Sequence, residues 1–188
     1  MINLMRVIDD FDCGNADLND FFNNDALAYA SQMLSRTYFF RHKSSGAVVC
    51  AFSVSASSIK TADLPGSRRK KVKEHIPREK SFKSYPAMLI GRLGVAAEFS
   101  GQGAGSQLID IVKYYCLNQF PDFVRFLLVD AYNEPAVINF YLKNDFKEVF
   151  SSPEQEKETY KQPPSETLQT RYLFYDMIQW RNKVYSSG

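Results

Sequence analysis

The chain is poor in the residues that build metal centres and disulfide frameworks. Its three cysteines stand at 13, 50 and 116. They are odd in number and too widely spaced for a ligand set or a stapled scaffold. Cys116 falls on the apolar stripe of an expected helix and reads as a core residue. His42 and His75 are lone histidines without partners at ligand spacing, so no metal site is expected. No run approaches the roughly 18 apolar residues of a membrane helix. Nor does the opening "MINLMRVIDDFDCG" have the basic-then-apolar layout of a signal segment. The expectation is a reduced, cytoplasmic protein with no membrane contact. Net charge is only +2, so overall charge makes no case for a nucleic-acid partner. What is plentiful is apolar and aromatic: 45% of 188 residues are hydrophobic, with fifteen Phe and eleven Tyr. That suffices for one domain with a substantial core.

Periodicity divides the chain. Residues 3–8 alternate as a short edge strand. Helical spacing follows through Leu18, Phe21, Phe22, Ala26, Tyr29, Ala30 and Met33, with Asn15 as N-cap and Asn23-Asn24 as a point of division into two helices. Residues 36–42 and 47–57 read as a hairpin around "KSSG". Residues 58–85 are polar and basic, an excursion from the sheet with a short helix near 68–75. A strand is expected at 87–97 and a helix at 103–118 with Leu108, Val112, Tyr115, Cys116 and Gln119 on one face. A strand buried on both faces follows at 123–132, then a helix at 134–144 with Pro135 in its first turn. After a strand at "FKEVF", residues 151–166 read as a polar loop, 167–178 as a last strand, and 179–188 as a loose tail. The alternation in the second half predicts an α/β class. The expected domain is 1–178, with the basic insertion inside it.

Three glycines open the helix at 103–118: Gly101, Gly103 and Gly105 in "EFSGQGAGSQLIDIVKYY". Glycines there usually hold a phosphate. A Walker loop needs Lys after its last Gly, and none follows Gly105. The dinucleotide fingerprint needs a third Gly where Ser106 stands, although Asp130, ending the next strand, mimics its ribose-binding acid. That reading stays open. It is opposed by the four elements expected ahead of the glycines, since a dinucleotide unit usually opens its domain. The third reading needs neither metal nor Lys: successive backbone N–H groups at a helix N-terminus cradle a pyrophosphate.

At these residues the chain resembles the GCN5-related N-acetyltransferases. Their pyrophosphate motif, Gln/Arg-x-x-Gly-x-Gly/Ala, aligns with Ser100, Gly101, Gln102, Gly103, Ala104 and Gly105. Ser100 departs from the usual first residue, which matters little if backbone amides do the holding. Their "FYxxxGF" motif aligns with residues 140–146, with Asp145 in place of Gly, a residue that can also take a left-handed helix cap. The segment 11–30 and the strand "TRYLFYD" are similar to a subgroup containing toxins that acetylate aminoacyl-tRNA.

The resemblance implies a mixed, mostly antiparallel α/β (α+β) sheet flanked by helices, with a splayed strand pair forming an acetyl-CoA slot. It implies direct transfer of acetyl from acetyl-CoA to a primary amine. Backbone groups near Leu93, Gly94 and Val95 would pair with the pantetheine arm. Residues 100–106, Ser100 through Ser106, would hold the pyrophosphate. Tyr141 matches the general acid, a phenol of pKa about 10 donating to the departing thiolate. Asn133 caps the following helix, binds the pantetheine arm, or both. Glu98 is a weak candidate for general base, since the family usually shows a solvent-facing acid at that strand exit; water or no base serves instead. Arg68, Arg69, Lys70, Lys71, Lys73, Arg78 and Lys80 against Glu74 and Glu79 form either a solvated loop or a patch for a polyanion such as tRNA or the CoA 3′-phosphate. Arg171 is a further candidate for tRNA contact. The acceptor remains open: an aminoacyl-tRNA, which implies a toxin with an antitoxin partner, or a protein or small-molecule amine. A non-catalytic CoA-binding or partner-binding module is the alternative outside enzymes. A homodimer is compatible with the exposed strands and aromatics.

Overall fold

The computed structural model describes residues 11–76 and 82–186. The edge strand expected at 3–8, and residues 77–80 of the basic segment, lie outside the described residues. The described residues form six strands in the sheet order β1-β2-β3-β4-β6-β5. They are β1 (Arg36–Arg41), β2 (Val48–Lys60), β3 (Ser84–Val95), β4 (Phe126–Tyr132), β5 (Lys147–Glu148) and β6 (Thr170–Asp176). The helices are α1 (Ala16–Asp20), α2 (Ala26–Ser31), α3 (Gly66–Lys73), α4 (Ala104–Gln119), α5 (Pro135–Lys143), α6 (Pro153–Tyr160) and α7 (Met177–Tyr185). This is the mixed, mostly antiparallel α/β architecture expected. The chain falls into two compact units, residues 1–56 with 89–114, and residues 57–88 with 115–188.

In the first unit, Asn15 caps α1 by accepting from the Leu18 N–H at 3.0 Å. The helical run then widens into a π-type turn, Phe21–Asp25, before α2. The division falls where Asn23 and Asn24 predicted it, for a visible reason: the Asn23 amide accepts from the Phe11 N–H at 3.1 Å and donates to the Phe11 carbonyl at 3.0 Å. That tie holds Phe11 against Phe22, ring centroids 5.2 Å apart and edge-on. Phe11, Phe21, Phe22, Ala26, Ala51 and Ala96 form a buried cluster. Each fully buried Phe contributes roughly 1.5–3 kcal/mol. β1 pairs antiparallel with β2, Arg36 opposite Val54. Their turn closes by a His42 N–H to Ala47 carbonyl bond of 2.8 Å, with Gly46 at φ +75°.

In the second unit, β4 and β6 pair antiparallel over seven residues, Phe126 opposite Asp176 through Tyr132 opposite Thr170. Phe126, Leu127, Leu128 and Leu173 are fully buried. β2 runs to Lys60, so the excursion begins at a 3-10 turn, Thr61–Asp63, and α3 sits where the short helix was expected.

Two segments expected to be irregular are helical. The polar loop contains a helix, α6, with Ser152 as N-cap accepting from the Gln155 N–H and Pro153 in the first turn. Its sequence, "PEQEKETY", has no apolar stripe to read; the helix is anchored by a buried carboxylate, Glu156. The tail is also helical: the Asp176 carboxylate accepts from the Ile178 N–H at 3.1 Å and starts α7. On α4, Leu108, Ile109, Val112, Cys116 and Leu117 are buried, whereas Gln119 is exposed. None of the described helices is long and apolar enough to cross a membrane.

Candidate active site

In the first unit, β3 delivers Leu93, Gly94 and Val95 to a bend at Ala96. The Ala96 N–H bonds to the Val49 carbonyl at 2.8 Å and the Ala97 N–H to the Asp12 carbonyl at 2.9 Å. Gly94 is closely packed: a Cβ there would stand 3.2 Å from the Phe11 and Phe22 rings, which would have to give by a few tenths of an ångström. The 3-10 turn Ala97–Phe99 carries the exposed Glu98 and ends at Ser100, whose N–H bonds back to Ala97 at 3.2 Å. The Gln102 side chain donates to the Glu98 carbonyl at 3.2 Å, so it braces the turn.

Gly101 and Gly103 then take φ +74° and +82°, the left-handed region that side chains disfavour. No heavy atom lies within 4 Å of where a Cβ would stand at either position. Packing therefore does not require these glycines; backbone conformation and open approach do. α4 begins at Ala104, with the Gln107 N–H bonding to the Gly103 carbonyl. Its first-turn N–H groups, at Ala104, Gly105 and Ser106, have no acceptor within the helix. Aligned with the positive end of the helix dipole, they suit an anion that comes close to bare backbone. The loop thus fits a pyrophosphate such as that of acetyl-CoA.

The second unit holds Tyr141 and Asn133. Tyr141 lies on α5, which ends in a cap built by the 140–146 motif. The Phe146 N–H bonds to the Tyr141 carbonyl at 3.1 Å and the Asp145 N–H to the Leu142 carbonyl at 3.1 Å. Asp145 takes φ +67°, the left-handed cap that Gly fills elsewhere. The Tyr141 and Phe146 rings pack edge-on at 5.3 Å. The cap therefore fixes the position of Tyr141 on the helix. Its ring is buried, and burial raises the phenol above its usual range, holding it protonated at physiological pH.

Asn133 does not cap α5. Glu134 occupies that position, and the Asn133 amide nitrogen instead donates to the Leu168 carbonyl at 2.9 Å while its N–H bonds to Gln169. The side-chain bond ties the end of β4 to the approach of β6.

Arg171 is not a surface cation. Cross-strand from Ala131, it is buried, with Nε 2.8 Å from Glu156 and Nη2 2.9 Å from Glu148. The basic segment divides similarly. Arg69 stays exposed, but its guanidinium is committed to the carbonyls of Thr61, Ala62 and Leu64. Lys71 reaches the Glu148 carbonyl at 3.4 Å, and partial burial followed by neighbouring Arg68 and Lys147 lowers its pKa. Lys70 is exposed, with Arg68 and Lys73 partly so.

His42 contacts Ser45 and Ser44 hydroxyls, and the His75 carbonyl accepts from Arg125. Among the described residues no group of three or more His, Cys, Asp or Glu could hold a metal ion. Burial pushes the Cys116 thiol up to about 12, consistent with a core role. The sequence offered Asp130 only as a mimic of a ribose-binding acid; the structure sets it opposite Tyr172, and its charge acts on both Tyr172 and Tyr160. β-Register, which sequence does not give directly, creates that pairing.

Residues 73–146, which carry both motifs, match the acetyltransferase (GNAT) family. A tRNA-acetylating toxin of Mycobacterium tuberculosis is 28% identical over 138 residues, 73% of this chain and 76% of that protein. Among solved structures, a mutant of KacT superposes with a TM-score of 0.68 at 20% identity, covering 92% of this chain and 89% of that one. AtaT complexed with acetyl-methionyl-tRNAfMet gives 0.65 at 21% identity, covering 93% and 89%. At these identities the structural likeness establishes the fold.

Proposed function

We propose that the chain is an acetyltransferase of the GNAT family, whose model matches residues 73–146, and that it acetylates the α-amino group of an aminoacyl-tRNA. The observation that carries the acceptor is the 28% identity to a tRNA-acetylating toxin across 73% of the chain. The exposed cations of α3 suit a phosphate backbone, independently of that likeness.

In this reading residues 1–178 make up the acetyltransferase, with α7 continuing from them. Acetyl-CoA supplies the acetyl group as an activated thioester. Backbone groups at Leu93, Gly94 and Val95 align the pantetheine arm. The loop from Ser100 to Ser106 holds the pyrophosphate through N–H groups, with Gly101 and Gly103 giving close approach. Asn133 keeps its side-chain oxygen for the arm, its nitrogen being committed to Leu168. The neutral amine attacks the thioester carbon and the C–S bond breaks. Tyr141 gives its hydroxyl proton to the departing sulfur, and the proton lost by the amine returns through solvent to the phenol. The raised pKa keeps the phenol protonated before transfer, and positioned proton transfer of this type contributes roughly 10²–10⁴-fold. The protein acts in the cytoplasm, where charged tRNA is found, and a toxin of this kind calls for an antitoxin partner.

Translation in a cell extract tests the reading. Wild type with acetyl-CoA is expected to stop protein synthesis, and Tyr141→Phe to spare it. Uninterrupted synthesis with active enzyme and acetyl-CoA would count against an aminoacyl-tRNA acceptor.

A further inference from the structure

β4, "FLLVDAY", is buried from Phe126 to Val129, and Asp130 then breaks its apolar run at the surface. The β4–β6 register puts Asp130 directly opposite Tyr172, close enough for their side chains to interact across the pair. Tyr160, at the end of α6, leans edge-on against Phe150 at 5.5 Å with half its surface exposed. Glu156 of α6 accepts from the Tyr172 N–H at 2.9 Å, and Tyr160 stands one turn further along that helix, so both phenols lie in the field of Asp130. Among the described residues, no Lys or Arg forms an ion pair with Asp130. Glu156 nearby is neutralised by Arg171; Asp130 is not neutralised. Asp130 keeps an exposed edge, while partial burial of its carboxyl raises it above the usual range.

A carboxylate beside two phenols is the chemistry that recognises a primary ammonium: one charge, two aromatic faces and two hydroxyl oxygens that accept hydrogen bonds. A second observation says what else the ligand carries. Asp63 closes the turn Thr61–Asp63, and α3 starts three residues later with its exposed cations. α3 is tied to this side of the sheet, since Lys71 donates to the Glu148 carbonyl at 3.4 Å and Glu148 stands opposite Leu173, the neighbour of Tyr172.

We propose that Asp130, flanked by Tyr160 and Tyr172, binds the α-ammonium group of the acceptor, with α3 taking the phosphates that accompany it. The subsite holds the charged amine before its proton is lost, and so selects α-amines over their acetylated products. This rests on the aminoacyl-tRNA reading for the identity of the natural acceptor, and the test separates the two.

The probes are phenylalaninamide and N-acetylphenylalaninamide, which share a side chain and differ in the ammonium charge. Binding is followed by chemical-shift changes in the full chain. Wild type is expected to bind the amide at least tenfold more tightly than its N-acetyl form, and Asp130→Asn to lose that preference while keeping acetyl-CoA affinity. On wild type alone, affinity for the amide should fall as pH rises through the amine's pKa, near 8. Equal binding of the two probes by wild type, or an unchanged preference in folded Asp130→Asn, overturns the subsite. If the preference is found but charged tRNA is not acetylated, the subsite stands and the tRNA reading falls.

Discussion

The Arg171 guanidinium and the Glu156 carboxylate meet at 2.8 Å in the interior, with residues 6% and 3% exposed. Glu156 also accepts from the Tyr172 N–H at 2.9 Å, so a side chain from α6 takes an edge bond that a longer β5 would have made. The only cation in the last strand is thereby committed to structure. Removing one partner of a buried pair strands the other charge and costs roughly 3–5 kcal/mol. Arg171→Met should lower the urea midpoint accordingly, with tRNA affinity per folded molecule unchanged. Weakened tRNA binding at normal stability would return Arg171 to the tRNA interface.

Tyr141→Phe should lower kcat by about 100-fold or more and leave the Kd for acetyl-CoA within twofold. The pH profile checks the sign. Burial raises the Tyr141 phenol above its usual value near 10. The acid therefore remains protonated to beyond pH 10, and kcat should show no alkaline descent below it. The ascending limb belongs to the amine, which reacts only when neutral. For stability the same shift favours the protonated fold: its contribution is intact below pH 10 and lost as pH rises past it. A descending limb near pH 8 would assign the proton to another group.

The glycines separate ligand effects from folding effects. At Gly103, an added Cβ meets no protein atom but is strained at φ +82°. Gly103→Ala should cost about 1 kcal/mol of stability and weaken acetyl-CoA at least tenfold. Gly94→Ala should act on stability first, because the Phe11 and Phe22 rings must yield. Asp145→Gly is the reverse case: at φ +67°, relief of strain should stabilise by roughly 0.5–1 kcal/mol. Denaturation and acetyl-CoA titration of the three variants check the ordering.

On α3 the cations are unequal. Replacing Lys70 and Lys73 by Gln should reduce the slope of log affinity for tRNA against log salt by about one for each phosphate no longer neutralised. Arg69→Gln should instead destabilise the turn at 61–64 whose carbonyls it holds. Equal salt slopes for wild type and the double variant would remove α3 from the interface.

Much of the fold was legible because its signals are local. Asn15 as a cap, the division at Asn23-Asn24, Pro135 opening α5 and the left-handed turn at Asp145 each depend on a few neighbouring residues. What was hidden depends on distant partners. α6 lacks an apolar face and is held by Glu156 reaching β6. Arg171 looked like a free cation because the two carboxylates that neutralise it are 15 and 23 positions away in sequence, Glu156 and Glu148. Asn133 missed its cap by one residue because Leu168 offered its carbonyl. The donor loop belongs to the legible class, written in closely spaced glycines. The Asp130, Tyr160 and Tyr172 group belongs to the hidden one, with the first and last paired by register and Tyr160 brought by α6.

The most direct measurement is acetyl transfer from labelled acetyl-CoA to charged tRNA, with the product released by nuclease and identified by mass. The account predicts N-acetylaminoacyl-adenosine, one CoA thiol released per acetyl group, and no transfer to uncharged tRNA. CoA release with small amines or protein lysines, and none with charged tRNA, would contradict it.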